Sequence, residues 1–174
     1  MNFDYLNEEE SSGKYVNFKV QENRWEVDGE TFDLKKFLIE PSSIQFGWGK
    51  LQSGLPPDWQ WWELGQRTER PSDQHKQAVG FSMFLKELNG FRDLSSVSVG
   101  VMKSFKPLLI EILKGKDSNN GKLAVIEYQG SDPVKIGMGN SRVLKLKHLG
   151  WGYVADLPKQ EKPVAKQTSD EPLF

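Results

Sequence analysis

VSVGVMKSFKPLLIEIL, residues 97–113, is the stretch around which the rest of the chain is ordered. Val101, Phe105, Leu108 or Leu109, and Ile112 recur at helical spacing and share one face. Pro107 stands in the middle of this run, where a proline costs about 3 kcal/mol and kinks the axis. Two arrangements satisfy it: Ser104 caps a short helix with Pro107 in its first turn, or a longer helix bends there. Gly115 is a fitting stop, and KDSNNGK (116–122) follows as a turn cluster.

Strand patterns flank this helix on both sides. In residues 14–20, Val16, Phe18 and Val20 alternate with Tyr15, Asn17 and Lys19, a period of two. Arg24-Trp25-Glu26-Val27 and Thr31-Phe32 enclose Asp28-Gly29, a strong hairpin signal. Phe37-Leu38-Ile39 is a short apolar run stopped by Pro41, and 79–88 (VGFSMFLKEL) reads as a further strand. Beyond the helix, 123–128, 134–136 and 143–149 are three more, with GMGN (137–140) as a tight turn before the last. In 143–149, Leu144, Leu146 and His148 point one way, while Val143, Lys145 and Lys147 point the other and form a basic stripe. The expected class is therefore mainly β with one helix. Strands, one helix, then strands is the order of the OB-fold, a five-stranded Greek-key barrel, and other α+β arrangements fit the same order. We expect an OB-like domain over 14–157, between a flexible acidic leader (1–13) and a disordered tail (158–174).

Residues 44–78 break the pattern. Gly47-Trp48-Gly49-Lys50 and LPPDWQWW (55–62) place four of the six tryptophans, Trp48, Trp59, Trp61 and Trp62, within one short segment. Pro56-Pro57 and the glycines argue against regular structure there, so the segment is expected to be an elaborated loop over the barrel's binding face. A polar basic stretch with Arg67, Arg70, His75 and Lys76 continues it.

The totals exclude several classes. The chain of 174 residues has room for one domain plus tails, and 37% apolar residues suffice for a core. With no cysteine and only His75 and His148, no disulfide or zinc framework is expected. No apolar run is long enough to span a membrane, and the acidic N-terminus is unlike a signal peptide, so the expected location is the cytoplasm. The net charge is −1, but it is unevenly spread. From Gly100 to Gly150 there are nine bases against four acids, with acidic residues gathered at the chain ends.

The tail ends in Ser169-Asp170-Glu171-Pro172-Leu173-Phe174, an acidic and apolar tip on a polar tether. Such a tip suits a short linear motif: Leu173 and Phe174 enter a partner's pocket while the carboxylates meet basic groups. It resembles the acidic, phenylalanine-terminated tail of bacterial and phage single-stranded DNA-binding proteins. That resemblance implies that Asp170, Glu171, Pro172, Leu173 and Phe174 recruit replication and repair enzymes. The stretch RPSDQHK (70–76), followed by Gly80-Phe81-Ser82, is similar to sequences in phage replication-region proteins and implies a phage or prophage origin, hence a host-cell cytoplasm.

Single-stranded nucleic acid needs flat π surfaces for its bases and cations along its backbone. The expected stacking residues are Trp48, Trp59, Trp61, Trp62 and Phe81. The expected backbone contacts are Lys50, Arg67, Arg70, Lys76, Lys135, Arg142, Lys145 and Lys147. Trp25 and Trp151 are expected to pack. No phosphate loop, dinucleotide fingerprint, nucleophile elbow or metalloprotease motif occurs, so neither catalysis, a metal nor a cofactor is expected. The leading expectation is a single-stranded DNA-binding protein that coats and protects DNA during replication, recombination and repair; a homo-oligomer is compatible with it. The alternative is a protein-binding module, a phage factor that captures a host or replication enzyme through the Trp-rich segment. A magnesium-dependent nuclease using acids such as Asp58 and Glu63 is a third and weaker reading.

Overall fold

The computed structural model describes residues 14–137 and 139–154. The acidic leader, Met138 and the tail with its tip all lie outside the described residues. What is described is mainly β, with antiparallel sheets around a single α-helix.

The Asp28-Gly29 signal does what it predicts. Asp28 and Gly29 take φ of 54° and 85°, the left-handed pair that a tight hairpin turn requires. They join β2 (Arg24–Val27) to β3 (Glu30–Phe32), and β1 (Val16–Lys19) completes a small sheet in the order β1-β2-β3. The Asp28 carboxylate accepts two hydrogen bonds from Arg92 Nε, at 2.9 and 3.1 Å, and one from Nη2 at 3.0 Å. This fork fastens the hairpin to the larger sheet.

The spine of the larger sheet is β7 (Lys76–Leu85). Along one edge runs β8 (Gly90–Ser96). Along the other, β4 (Lys36–Ile39) covers the C-terminal half of β7 and β5 (Gln45–Gln52) its N-terminal half. A 3-10 turn, Pro41–Ser43, separates them, and Ser43 Oγ stitches the break by accepting the Ser82 N–H at 2.8 Å. From β4 the sheet continues to β9 (Leu123–Ile136) and β10 (Gly139–Gly152); from β5 it continues to β6 (Leu55–Trp62). Among the described residues the strands do not close into a barrel: β10 and β6 are the two ends of the path.

Helix α1 (Val99–Gly115) lies on the inner face of this sheet. Val101, Phe105, Leu108, Leu109 and Ile112 are buried, as their spacing predicts, among Ile39, Phe81, Met83, Leu94, Ile126 and Leu144. Burying a side chain such as Phe105 contributes about 1.5–3 kcal/mol. The helix is the longer of the two expected forms. Ser98, not Ser104, caps it, accepting the Val101 N–H. Ser104 instead donates to the Gly100 carbonyl at 2.7 Å and accepts the Leu144 N–H at 2.7 Å, tying β10 to the helix. Pro107 is tolerated inside the helix because it sits on the exposed side, where water can reach the carbonyl it leaves unpaired.

Three expectations about elements are corrected. Residues 44–78 are mostly the β5–β6 hairpin and the start of β7, leaving only 63–75 irregular. The runs 123–128 and 134–136 are one continuous strand. The strand expected over 79–88 begins at Lys76 and gives way to a 3-10 turn at Lys86–Leu88. The prolines misled because β6 is an edge strand and Pro56-Pro57 fall where its register with β5 slips, between Lys50/Asp58 and Gln52/Leu55, so the missing N–H groups cost no ladder bond. Among the described residues no helix is long and apolar enough to cross a membrane.

Candidate nucleic-acid interface

The β5–β6 hairpin sorts its four tryptophans by the two-residue period of a strand. Trp59 pairs with Gly49 and Trp61 with Gly47, while Trp62 pairs with Phe46 and Gln60 with Trp48. Phe46 also pairs with Val79 of the core. Trp48 and Trp62 therefore share the helix side of the sheet, and Trp59 and Trp61 occupy its outer face.

On the outer face the indoles rest on glycines. A Cβ on Gly49 would lie 2.5 Å from the Trp59 ring, and one on Gly80 would lie 2.9 Å from the Trp61 ring. A Cβ on Gly47 would lie 2.9 Å from the same Trp61 ring. The two ring planes are 8° apart, with centroids separated by 5.4 Å. Both side chains are half-buried, so each keeps part of its ring open. The result is a platform of two indoles stacked on one another over a floor without side chains. Lys76 lies opposite Gly49 in the β5–β7 register, in the same cross-strand row as Trp59.

Of the inner-face pair, Trp48 is covered. Segment 63–75 runs from β6 to β7 as a strap over Trp48, which is only 2% exposed. Trp48 Nε1 donates to the Thr68 carbonyl at 3.1 Å. The guanidinium carbons of Arg67 and Arg70 stand 5.2 and 5.3 Å from the Trp48 ring centre, within cation–π range. Trp62 meets Trp48 edge-on at 5.7 Å, and Arg67 also lies 5.9 Å from its ring. The far end of the strap is pinned by His75, which is buried. Its Nε2 lies 2.9 Å from Asp58 Oδ2 and its Nδ1 2.7 Å from Ser72 Oγ, so both ring nitrogens are engaged. The His75 hydrogen bond, seconded by one from Gln60, holds the Asp58 carboxyl below its ordinary range.

The expected site residues are thus divided. Trp59 and Trp61 stand together on the outer face, both half-buried; Trp48 is sealed, and Trp62, half-buried like the outer pair, meets it edge-on. Phe81 is corrected from stacking residue to core residue: it is 3% exposed, its ring 4.9 Å from that of Phe105. Lys50 lies opposite Asp58 in the hairpin, and Arg67 and Arg70 roof Trp48. Lys135, Arg142, Lys145 and Lys147 belong to β9 and β10, at the other end of the strand path, so the structure does not gather all eight cations into one trough. Arg142 donates to Ser131 Oγ at 2.7 Å, and Lys145 lies 3.9 Å from Asp132. Trp25 is buried, and Trp151 is half-buried against His148, as packing residues should be. Sequence reasoning missed the role of Gly47, Gly49 and Gly80. The signal was there in the alternation Gly-Trp-Gly, which in a strand puts both glycines on one face.

Among the described residues no group of three or more metal-ligating side chains occurs. Comparison with protein-family models, curated proteins and solved structures finds no match to this chain.

Proposed function

We propose that this chain is a single-stranded DNA-binding protein whose bases stack on Trp59 and Trp61. The observation that carries the proposal is the pair of mutually stacked, partly open indoles over a glycine floor, with Lys76 in the same cross-strand row as Trp59. Stacking contributes roughly 1–3 kcal/mol per base and tolerates any sequence. Two rings with neighbouring cations suit a binder that coats exposed strands during replication, recombination and repair. The order strands, helix, strands is what supports an OB-like assignment as part of the same proposal. The protein acts in the cytoplasm, without a cofactor, and its tip recruits partner enzymes.

Titration with oligo(dT), followed by tryptophan fluorescence, tests this. We expect strong quenching with a salt-dependent midpoint, lost in a Trp59→Ala/Trp61→Ala variant that keeps its fold. Unchanged fluorescence and no complex with the wild-type chain would overturn it.

The protein-binding alternative has one observation in its favour. Leu51 and Leu55, at the tip of the β5–β6 hairpin, are 64% and 63% exposed. A pull-down that retains a protein but no oligonucleotide would favour that reading.

A further inference from the structure

We infer that the cleft between the start of β7 and the first half of α1 is a phosphate-binding channel. It takes the backbone of the strand whose bases lie on Trp59 and Trp61, and so rests on the function proposed above. The cleft has a volume of about 470 Å³. Arg70, Lys76, Lys103 and Lys106 line it against one carboxylate, Asp73. Among the described residues, Lys76, Lys103 and Lys106 form no ion pair with a carboxylate. Like charges set together without counter-ions oppose folding, so such a cluster is costly unless a polyanion neutralises it.

The helix places Lys103 and Lys106 by its own periodicity. Val101, Met102 and Phe105 are buried on the core side, which turns 103 and 106, three apart, outward as neighbours. Met102 and Val97 give the cleft an apolar floor. Val97 also links the cleft to the platform. Its Cγ1 and the Trp59 ring converge over Gly49, at 2.7 and 2.5 Å from where a Cβ would stand. Lys76 belongs to both, lining the cleft and sharing a cross-strand row with Trp59. Stacked indoles joined through Lys76 and Val97, at the margin of the sheet, to a row of cations suit a single strand; a cluster of cations alone would serve an acidic peptide as well.

The test uses the full chain, a Lys103→Gln/Lys106→Gln variant, and an oligo(dT) of about 12 nucleotides, within the site size of such proteins. Both lysines are exposed and their removal relieves like-charge repulsion, so the variant should stay folded and melt at or slightly above the wild-type temperature. Two lost phosphate contacts should lower the slope of log K against log salt by about 1.4 and weaken binding at low salt. Trp59→Ala/Trp61→Ala should lose affinity with the slope retained. If the wild type binds and the lysine variant matches it in affinity and slope, the channel is wrong and the proposed function stands. If the wild type binds no oligonucleotide, both fail. If the lysine variant loses only its binding to polyglutamate, the cleft is a peptide site and the inference is overturned.

Discussion

Gly49 and Trp59 face each other across β5 and β6, and a Cβ on the glycine would stand 2.5 Å from the indole. Side chain and floor are thus one unit. Gly49→Val should tilt Trp59 off the sheet and crowd Val97, costing about 1–3 kcal/mol as overpacking does. Near-UV circular dichroism and thermal melting would record the displaced ring, and oligo(dT) affinity should fall beyond what the stability loss explains. Wild-type affinity in this variant would mean that the platform is not the stacking surface.

Phe81 separates core from interface. It packs on Phe105 inside the fold, so Phe81→Leu should cost on the order of 1 kcal/mol and leave oligonucleotide binding by the folded protein unchanged. A selective loss of binding at unchanged melting temperature would place Phe81 in the site after all.

The strap depends on Trp48. Trp48→Phe removes the indole donor to Thr68 and reduces the ring beneath Arg67 and Arg70. We expect a stability loss of about 1–3 kcal/mol and faster proteolytic cleavage within 63–75. Cleavage at the wild-type rate would show that these contacts do not hold the strap.

Asp58 makes the strap sensitive to acid. Its carboxyl is held below the ordinary value of 3.8, chiefly by the hydrogen bond from His75. A depressed folded pKa stabilises above the unfolded value and loses that contribution as pH falls through the folded one. The pin should therefore be intact above the ordinary aspartate range and weaken progressively below it. Asp58→Asn should flatten this acid limb when strap opening is followed by proteolysis or tryptophan fluorescence. An unchanged pH profile in the variant would assign the acid sensitivity elsewhere.

The tip at 170–174 gives a prediction that the strand-binding residues do not share. Its deletion should leave oligo(dT) affinity unchanged or tighter, since the removed carboxylates oppose a polyanion. Recruitment of partner enzymes, measured by pull-down from replicating cells, should be lost. Weaker oligonucleotide binding after the deletion would contradict this division of labour.

How much was legible follows the range of the interactions involved. The helical face of Val101, Phe105 and Ile112, the alternation of Val16 and Phe18, and the Asp28-Gly29 turn depend on neighbours along the chain. Periodicity and backbone sterics report such neighbours directly. The clustering of tryptophan and of positive charge was equally plain, because composition needs no coordinates. Residues 44–78 were misread as a loop because Gly47, Gly49 and Pro56 look like breakers until the indoles that need a bare floor, and the free edge that tolerates proline, are known.

Local pattern alone specifies a mainly β chain with one amphipathic helix, rich in tryptophan and locally basic. Which aromatic rings are sealed and which stay partly accessible depends on long-range packing. Trp48 is closed by Thr68, twenty residues away, and Phe81 by the helix, whereas Trp59 and Trp61 keep an open face because glycines lie beneath them and they sit on the side away from α1. Exposure is the sum of contacts between distant parts of the chain, and no local pattern encodes that sum.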